Sequence, residues 1–279
     1  MLRKVVDYIV FSSLYVAICS VVMIWQTSRL LIGISPSGRL LGFVFFATIC
    51  SYNFHWYLTP RTARLSHRVR WTHHHKVLHF ILYLTGAVGA IIYFLYLARY
   101  AVAIGFAALL TFLYSAPKLP YRYSQYLRSI AIGKTFFLTF VWVYVTAILP
   151  VIIAGAPLNG AFYWYVSGRF TLIYACCLIF DFRDREDDRA EGIVSMVTKL
   201  NERNIDWLFL ISMICFAVSC LALAFWHYPA LDIILLLVPG AVLALLYPET
   251  KRNYSDYLYY VVLDGIVMLS GLLMLIFRI

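Results

Sequence analysis

The sequence predicts an all-α integral membrane protein that crosses the bilayer nine times. Three observations predict it. Of its 279 residues, 63% are hydrophobic and only 13% are charged, too little polar surface for a soluble domain of this size. Apolar runs of roughly 20 residues, the length a helix needs to cross hydrocarbon, recur along the chain. These runs, rich in Leu, Ile, Phe and Tyr, lack the alternation of a barrel strand. In lipid each backbone group needs a partner within its own segment, so the spans are helices.

The first span is expected at 7–26. It follows Arg3 and Lys4, carries Asp7 and is not succeeded by a small-residue cleavage site, so it reads as a retained span rather than a removed leader. The second, 38–58, runs into a loop at 59–76 rich in Arg and His. The third and fourth, 77–97 and a short 100–115, are joined tightly and so pack as antiparallel neighbours. A basic loop at 116–128 leads to spans at 131–154 and 161–180, and an acidic loop occupies 181–204. The spans at 205–226 and 229–247 form a second tight pair, and 257–277 is the ninth. No low-complexity linker interrupts the chain, which reads as a single membrane domain over 1–279. The second and sixth spans both end in the two longest polar loops. This suggests two four-helix halves, 1–115 and 129–247, with the helix at 257–277 added. A site at the interface of such halves would bring Asn53 to Arg61 and Asp181 to Asp188 to one cavity.

The net charge is +10, and its distribution is informative. With the N-terminus inside, 17 of the 23 Lys and Arg fall in cytoplasmic segments. Arg29, Arg39, Arg99, Arg169 and Arg278 fall outside, and Lys134 lies near the start of a span. This bias predicts a cytoplasmic N-terminus and an external C-terminus. Membrane lipid head groups or an anionic substrate account for the basic excess, and no nucleic acid partner is needed. All six cysteines lie in apolar runs and read as small buried residues rather than as disulfides or metal ligands.

The acidic residues are distributed quite differently. Of 13, only Asp7 precedes position 181, and five fall within eight residues in Asp181-Phe182-Arg183-Asp184-Arg185-Glu186-Asp187-Asp188. Asp181, Asp184 and Asp188 stand at i, i+3 and i+7, one face of a helix. Like charges stacked in this way repel one another and persist best around a cation, of which Mg²⁺ is the natural choice. The alternative is a solvated acidic loop.

The segment continues as Arg189-Ala190-Glu191-Gly192. An Asp-x-x-Asp-x-x-x-Asp run followed by a basic residue and Gly, after the sixth of nine spans, resembles the second aspartate-rich motif of the UbiA superfamily of intramembrane prenyltransferases. Tyr114-Ser115-Ala116-Pro117-Lys118 resembles that family's Tyr-Ser-x-Pro segment. The family's first motif, Asn-x-x-x-Asp-x-x-x-Asp, would begin at Asn53, but Tyr57 and Arg61 occupy its two Asp positions, and Ser195 stands where Thr is common. The resemblance implies a UbiA-like helical bundle. Its activity would be Mg²⁺-dependent transfer of an isoprenyl group from a prenyl diphosphate to a lipid-soluble, aromatic acceptor, with Asp181, Asp184 and Asp188 as catalytic metal ligands. Asn53, Tyr57 and Tyr114 are then substrate contacts by motif position. Arg61, Lys118 and Arg122 suit phosphate oxygens directly, because a guanidinium fork matches their geometry. The second reading is an inactive protein of the same fold that binds a prenyl lipid or a protein partner, with Arg61 neutralising the acids.

Lys134 and Asp264 are charges a turn or two inside spans. Intramembrane charges face cavities or partners, which makes Lys134 a candidate phosphate contact, while Asp264 reads as structural. Six of the seven histidines lie between His55 and His79. Consecutive imidazoles point in different directions, so His73-His74-His75 does not make a metal site. His55, beside Asn53, is the better substrate contact. A transporter with Lys134 and Asp264 on an ion path would need matching mid-span Gly or Pro breaks, which are few. The Asp-Gly-x-x-Ala-Arg opening of a CDP-alcohol phosphotransferase is not found.

Overall fold

Short polar residues set where the helices begin. The computed structural model describes residues 2–59, 66–115, 134–190 and 195–277, and every regular element among them is a helix. Helix α1 is Leu2–Phe11 and ends at Ser12 and Ser13, where Ser13 takes a left-handed φ of 68°. Helix α2 follows as Leu14–Ile32 and stops at Gly33, whose φ of 78° only glycine adopts at no steric cost. Ser37 caps α3 (Gly38–Tyr57) by accepting from Leu40 N, and Ser66 caps α4 (His67–His74) by accepting from Val69 N. Helices α5 (Lys76–Tyr96), α6 (Ala101–Ser115), α7 (Thr135–Ala154) and α8 (Gly160–Ala190) follow. Ser195 and Thr198 form a reciprocal capping box on the short α9 (Met196–Lys199), which gives Ser195 a structural task. Helices α10 (Glu202–Ala222), α11 (Ala230–Thr250) and α12 (Leu258–Phe277) complete the described chain.

Seven helices among the described residues are long and apolar enough to cross a membrane: α2, α5, α7, α8, α10, α11 and α12. This is a multi-pass membrane protein, but the expected nine spans are not all reached. Helix α3 has 20 residues but is diluted by Thr48, Ser51, Asn53 and His55. Helix α6 has 15 described residues, about 22 Å at ~1.5 Å per residue, against a hydrocarbon core of about 30 Å. The first span also shifts. The break at Ser13 moves it from 7–26 to Leu14–Ile32 and leaves Asp7 on α1, outside the span.

The sixth span, expected at 161–180, continues without a break to Ala190. Its 31 residues reach about 46 Å, more than a hydrocarbon core of about 30 Å requires, and Asp181 stands about 20 residues beyond its start. Arg169, expected outside the membrane, instead lies buried within α8. It donates to Val267 O at 2.7 Å and to Ser270 Oγ at 3.4 Å, and Ser270 in turn donates to Gln26.

The helices close on themselves. Helix α2 packs on α3 and α12, α3 on α5, α7 on α6 and α8, α8 on α10, α10 on α11, and α11 on α12. Buried Leu172, Leu178, Ile179, Leu243, Tyr259 and Leu263 fill the side where α8, α11 and α12 meet. Between α3, α6, α7, α8 and α12 the packing leaves a cavity.

Candidate functional site

The cavity has a volume of about 1470 Å³ and two chemically distinct ends. One is apolar, walled by Phe43, Val44, Phe94, Ile104, Ala107 and Leu149. The other gathers Asp181, Asp184, Asp187 and Asp188 from α8, Arg68 from the start of α4, His55 and Trp56 from the end of α3, and Asp256, Tyr257 and Tyr260 from the start of α12 and the turn before it.

The carboxylates of the i, i+3, i+7 face all line the cavity, although the Asp184 side chain is also 39% exposed. Asp181 is 6% exposed and Asp188 7%. Thr135 Oγ1 donates to Asp181. Arg183 Nε donates to Asp184 Oδ1 at 2.8 Å, Nη2 donates to Tyr260 OH at 2.8 Å, and Nη1 stands 3.8 Å from Asp256 Oδ1. The opposite face of α8 points away from the cavity. Glu186 pairs with Arg189 at 3.0 Å, while Arg185 and Arg189 donate to the carbonyls of Leu200 and Thr198 and hold α9 against α8.

Arg68 is 3% exposed. Its guanidinium lies in the corner between two perpendicular rings, 4.1 Å from the Trp56 centroid and 3.9 Å from that of Tyr260. Its backbone N–H donates to Asp256 Oδ2 at 2.7 Å. Burial pulls its pKa below the ordinary arginine value and neighbouring Arg183 adds to this, while Tyr260, Asp264 and Asp256 oppose it. An arginine remains cationic through such a shift. At the mouth, Tyr257 OH donates to Asp7 Oδ1 at 2.5 Å and accepts from Arg3 Nε at 3.1 Å. Burial and then Asp7 push the Tyr257 hydroxyl upward, so it stays protonated.

Among the residues expected to contact substrate, His55 lines the cavity and Asn53 does not. Asn53 is fully buried, donating to Ser12 O at 3.0 Å and Ile49 O at 2.9 Å, with His79 Nδ1 2.7 Å from its Oδ1. It serves the break between α1 and α2. Tyr57 is 39% exposed and packs on Phe80 and beneath Lys76, away from the cavity. Asp264, expected to be structural, does line the cavity. Arg61, Lys118 and Arg122 lie outside the described residues, as do the side chains of Tyr114 and Lys134.

Mg²⁺ takes one or two carboxylates, leaving its other positions to phosphate and water. Asp181 and Asp188, buried on the cavity wall, fit that demand, whereas Asp184 would first have to leave Arg183. Among the described residues no group of three or more His, Cys, Asp or Glu forms a ready-made metal cage.

Sequence reasoning missed Arg68, Arg183, Trp56 and Tyr260. Arg68 looked like one cation of a basic loop and Arg183 like a spacer between acids. No family model and no curated protein matches the chain.

Proposed function

We propose that this chain is an intramembrane prenyltransferase of the UbiA type, moving an isoprenyl group from a prenyl diphosphate to a lipid-soluble acceptor. The observation that carries this reading is the polarity of one cavity. Five carboxylates, of Asp181, Asp184, Asp187, Asp188 and Asp256, and the guanidinium groups of Arg3, Arg68 and Arg183 line one end, and aliphatic and aromatic side chains wall the other. Such a cavity matches an amphiphile with a highly charged head and a long apolar tail. The acidic end belongs on the cytoplasmic side, given the Lys and Arg bias of the loops.

In this reading Arg68 and Arg183 orient the diphosphate, and Asp181 and Asp188 would hold Mg²⁺. The metal supplies charge neutralisation for the departing diphosphate. Phe43, Phe94, Ile104 and Leu149 hold the tail and exclude the water that would capture an allylic cation. The C–O bond to diphosphate breaks, a bond from the acceptor to the isoprenyl carbon forms, and the acceptor's proton leaves to solvent.

The test is turnover of farnesyl or geranylgeranyl diphosphate by the purified protein with a membrane lipid extract as acceptor source. Asp181→Asn and Asp188→Asn are expected to reduce kcat on the order of 10²-fold, the usual cost of removing one group that stabilises developing charge. Turnover that survives both changes removes the acidic face from the mechanism. One observation favours a non-catalytic binder of the same fold: Arg183 already ties up Asp184 at 2.8 Å. On that reading the wild-type protein binds the diphosphate and releases no pyrophosphate. Placing Asp at position 57 would not rescue it, because that side chain packs away from the cavity.

A further inference from the structure

Asp264 is an acid set inside a span. It is the seventh residue of α12, about 9 Å of helix beyond Leu258, whereas the acids of α10 and α11 all lie within five residues of a helix end. The wide turn at Leu258–Leu263 ends immediately before it. Its face of α12 is the cavity face, because Tyr260 one turn earlier and Val267 one turn later line the same cavity. Other acids of the described chain are engaged. Asp7 is held by Tyr257 and His67, Asp206 by Tyr247 and Lys251, Asp184 by Arg183, and Asp256 by the Arg68 backbone N–H. Among the described residues no donor and no paired cation reaches the Asp264 carboxylate, and it is the backbone carbonyl of this residue that accepts from Cys19 Sγ, at 3.5 Å.

A carboxyl group without a partner is costly within a membrane, and acids that face an intramembrane cavity mark the paths of protons and substrates. The depth of Asp264 says which proton. Tyr260 marks the polar end, since it stacks against Arg68 at 3.9 Å and accepts from Arg183 at 2.8 Å. Asp264 lies four residues on, about 6 Å deeper along the helix, and Val267 beyond it is already apolar wall. An isoprenyl carbon bonded to a diphosphate at that polar end sits just below the head, at the level between Tyr260 and Val267. The acceptor has to meet the carbon there and lose its proton there. Asp184 is occupied by Arg183, and Asp181 accepts from Thr135, which leaves Asp264 as the acid at this depth with its lone pairs open.

We propose that Asp264 is the general base of the transfer. The C–O bond breaks and its electron pair leaves with the diphosphate. The acceptor's nucleophilic atom supplies the pair for the new bond to the isoprenyl carbon, and the proton on that atom passes to the Asp264 carboxylate. The carboxyl group then returns the proton to water at the polar end of the cavity, which restores the base. This role rests on the prenyl-transfer reading above, and it confines the acceptor to molecules that carry a hydrogen on the attacking atom.

The test uses the purified full chain in phosphatidylcholine nanodiscs, with geranylgeranyl diphosphate and a membrane lipid extract. It reads prenylated product and, separately, affinity for the diphosphate. Asp264→Asn keeps the shape and removes the base. It is expected to cut product formation on the order of 10²-fold and to leave the affinity for geranylgeranyl diphosphate within about twofold. Product formation at the wild-type rate, or a loss of affinity as large as the loss of product, overturns the proposal. If Asp264→Asn does not fold, the wild type decides. Dicyclohexylcarbodiimide, a lipid-soluble reagent for carboxyl groups, should modify Asp264 and block transfer to the extent of modification. Asp264 left unmodified, or modified protein that still transfers, overturns the proposal as well. The two possible failures give different results. Turnover by the wild type beside an unimpaired Asp264→Asn protein removes only the base. A wild type that forms no prenylated product removes the prenyltransferase and its base together.

Discussion

Asn53 occupies the position where a family resemblance would put a substrate contact, yet its side chain is spent on the backbone. It donates to the Ser12 carbonyl, which the break at Ser13 leaves without a helical partner, and to the Ile49 carbonyl, and it pairs with His79. Asn53→Ala leaves those buried groups unmet, at about 1–3 kcal/mol for the first orphan and more if His79 is also stranded. The expected outcome is a lower melting temperature with ligand affinity unchanged in the protein that remains folded. A loss of affinity without a loss of stability would return Asn53 to the site. Arg183 behaves oppositely. It touches Asp184, Tyr260 and Asp256 at once, and Arg183→Gln would leave two carboxylates facing the cavity uncompensated. Acids released in this way take up divalent cations more readily, so Mg²⁺ or Mn²⁺ should raise the melting temperature of the variant more than that of the wild type. An equal rise in both would show that Arg183 does not compete with metal.

Helices reach the cavity in shapes that a regular 3.6-residue repeat does not supply. Helix α7 carries a wide turn at Tyr144–Ile148 and α12 one at Leu258–Leu263, and both segments line the cavity. Such one-turn bulges rotate the following side chains relative to the preceding ones and are frequent at functional sites. In α12 the bulge brings Tyr260 against Arg68 while Tyr259 stays buried on the other side. The pairing of α3 with α5 depends on small residues instead. A Cβ added at Gly86 would lie 2.6 Å from the Cys50 backbone nitrogen, and one at Gly89 would enter the Phe46 ring. Backbone cannot yield as a side-chain tip can, so Gly86→Ala should part the two helices at a cost of about 1–3 kcal/mol. Because α3 carries His55 and Trp56, a weaker grip on the diphosphate is expected alongside the lower melting temperature. Wild-type stability in this variant would show that α3 and α5 pack less closely than described.

At the scale of the whole molecule, segments distant in sequence meet at one end. Arg3, Ser66, Arg68, the acidic end of α8, and Tyr254 to Tyr257 all border the same cavity. Helix α8 then runs about 46 Å to Gly160 at the other end. With the native cysteines replaced, Arg3→Cys and Glu186→Cys should therefore react with a membrane-impermeant maleimide from the same side, and Asn159→Cys from the opposite one. Labelling of Arg3→Cys and Glu186→Cys from different sides would break this arrangement. The lipid-facing surface is correspondingly apolar. Val77, Val88, Ile92 and Leu95 of α5 are all exposed, as expected where the neighbour is an acyl chain rather than water.

Composition alone determined that this protein is helical and crosses a membrane more than once, because hydrocarbon offers no partner to an unpaired backbone group. The spacing of Asp181, Asp184 and Asp188 determined that these acids share a face, because helical periodicity is a local property. Periodicity cannot say what that face meets, and this is where tertiary structure decided. Packing turned Asn53 toward α1 and α5, and Tyr57 outward. Packing also drew Arg68 out of a basic loop into the corner of Trp56 and Tyr260, whose side chains come from helices far apart in sequence. The seven apolar spans found among the described residues fall short of the expected nine for a related reason. Helix α3 keeps Thr48, Ser51, Asn53 and His55 within a helix of span length, and only the fold reveals which of these polar groups face a cavity and which are used to hold neighbouring helices in place.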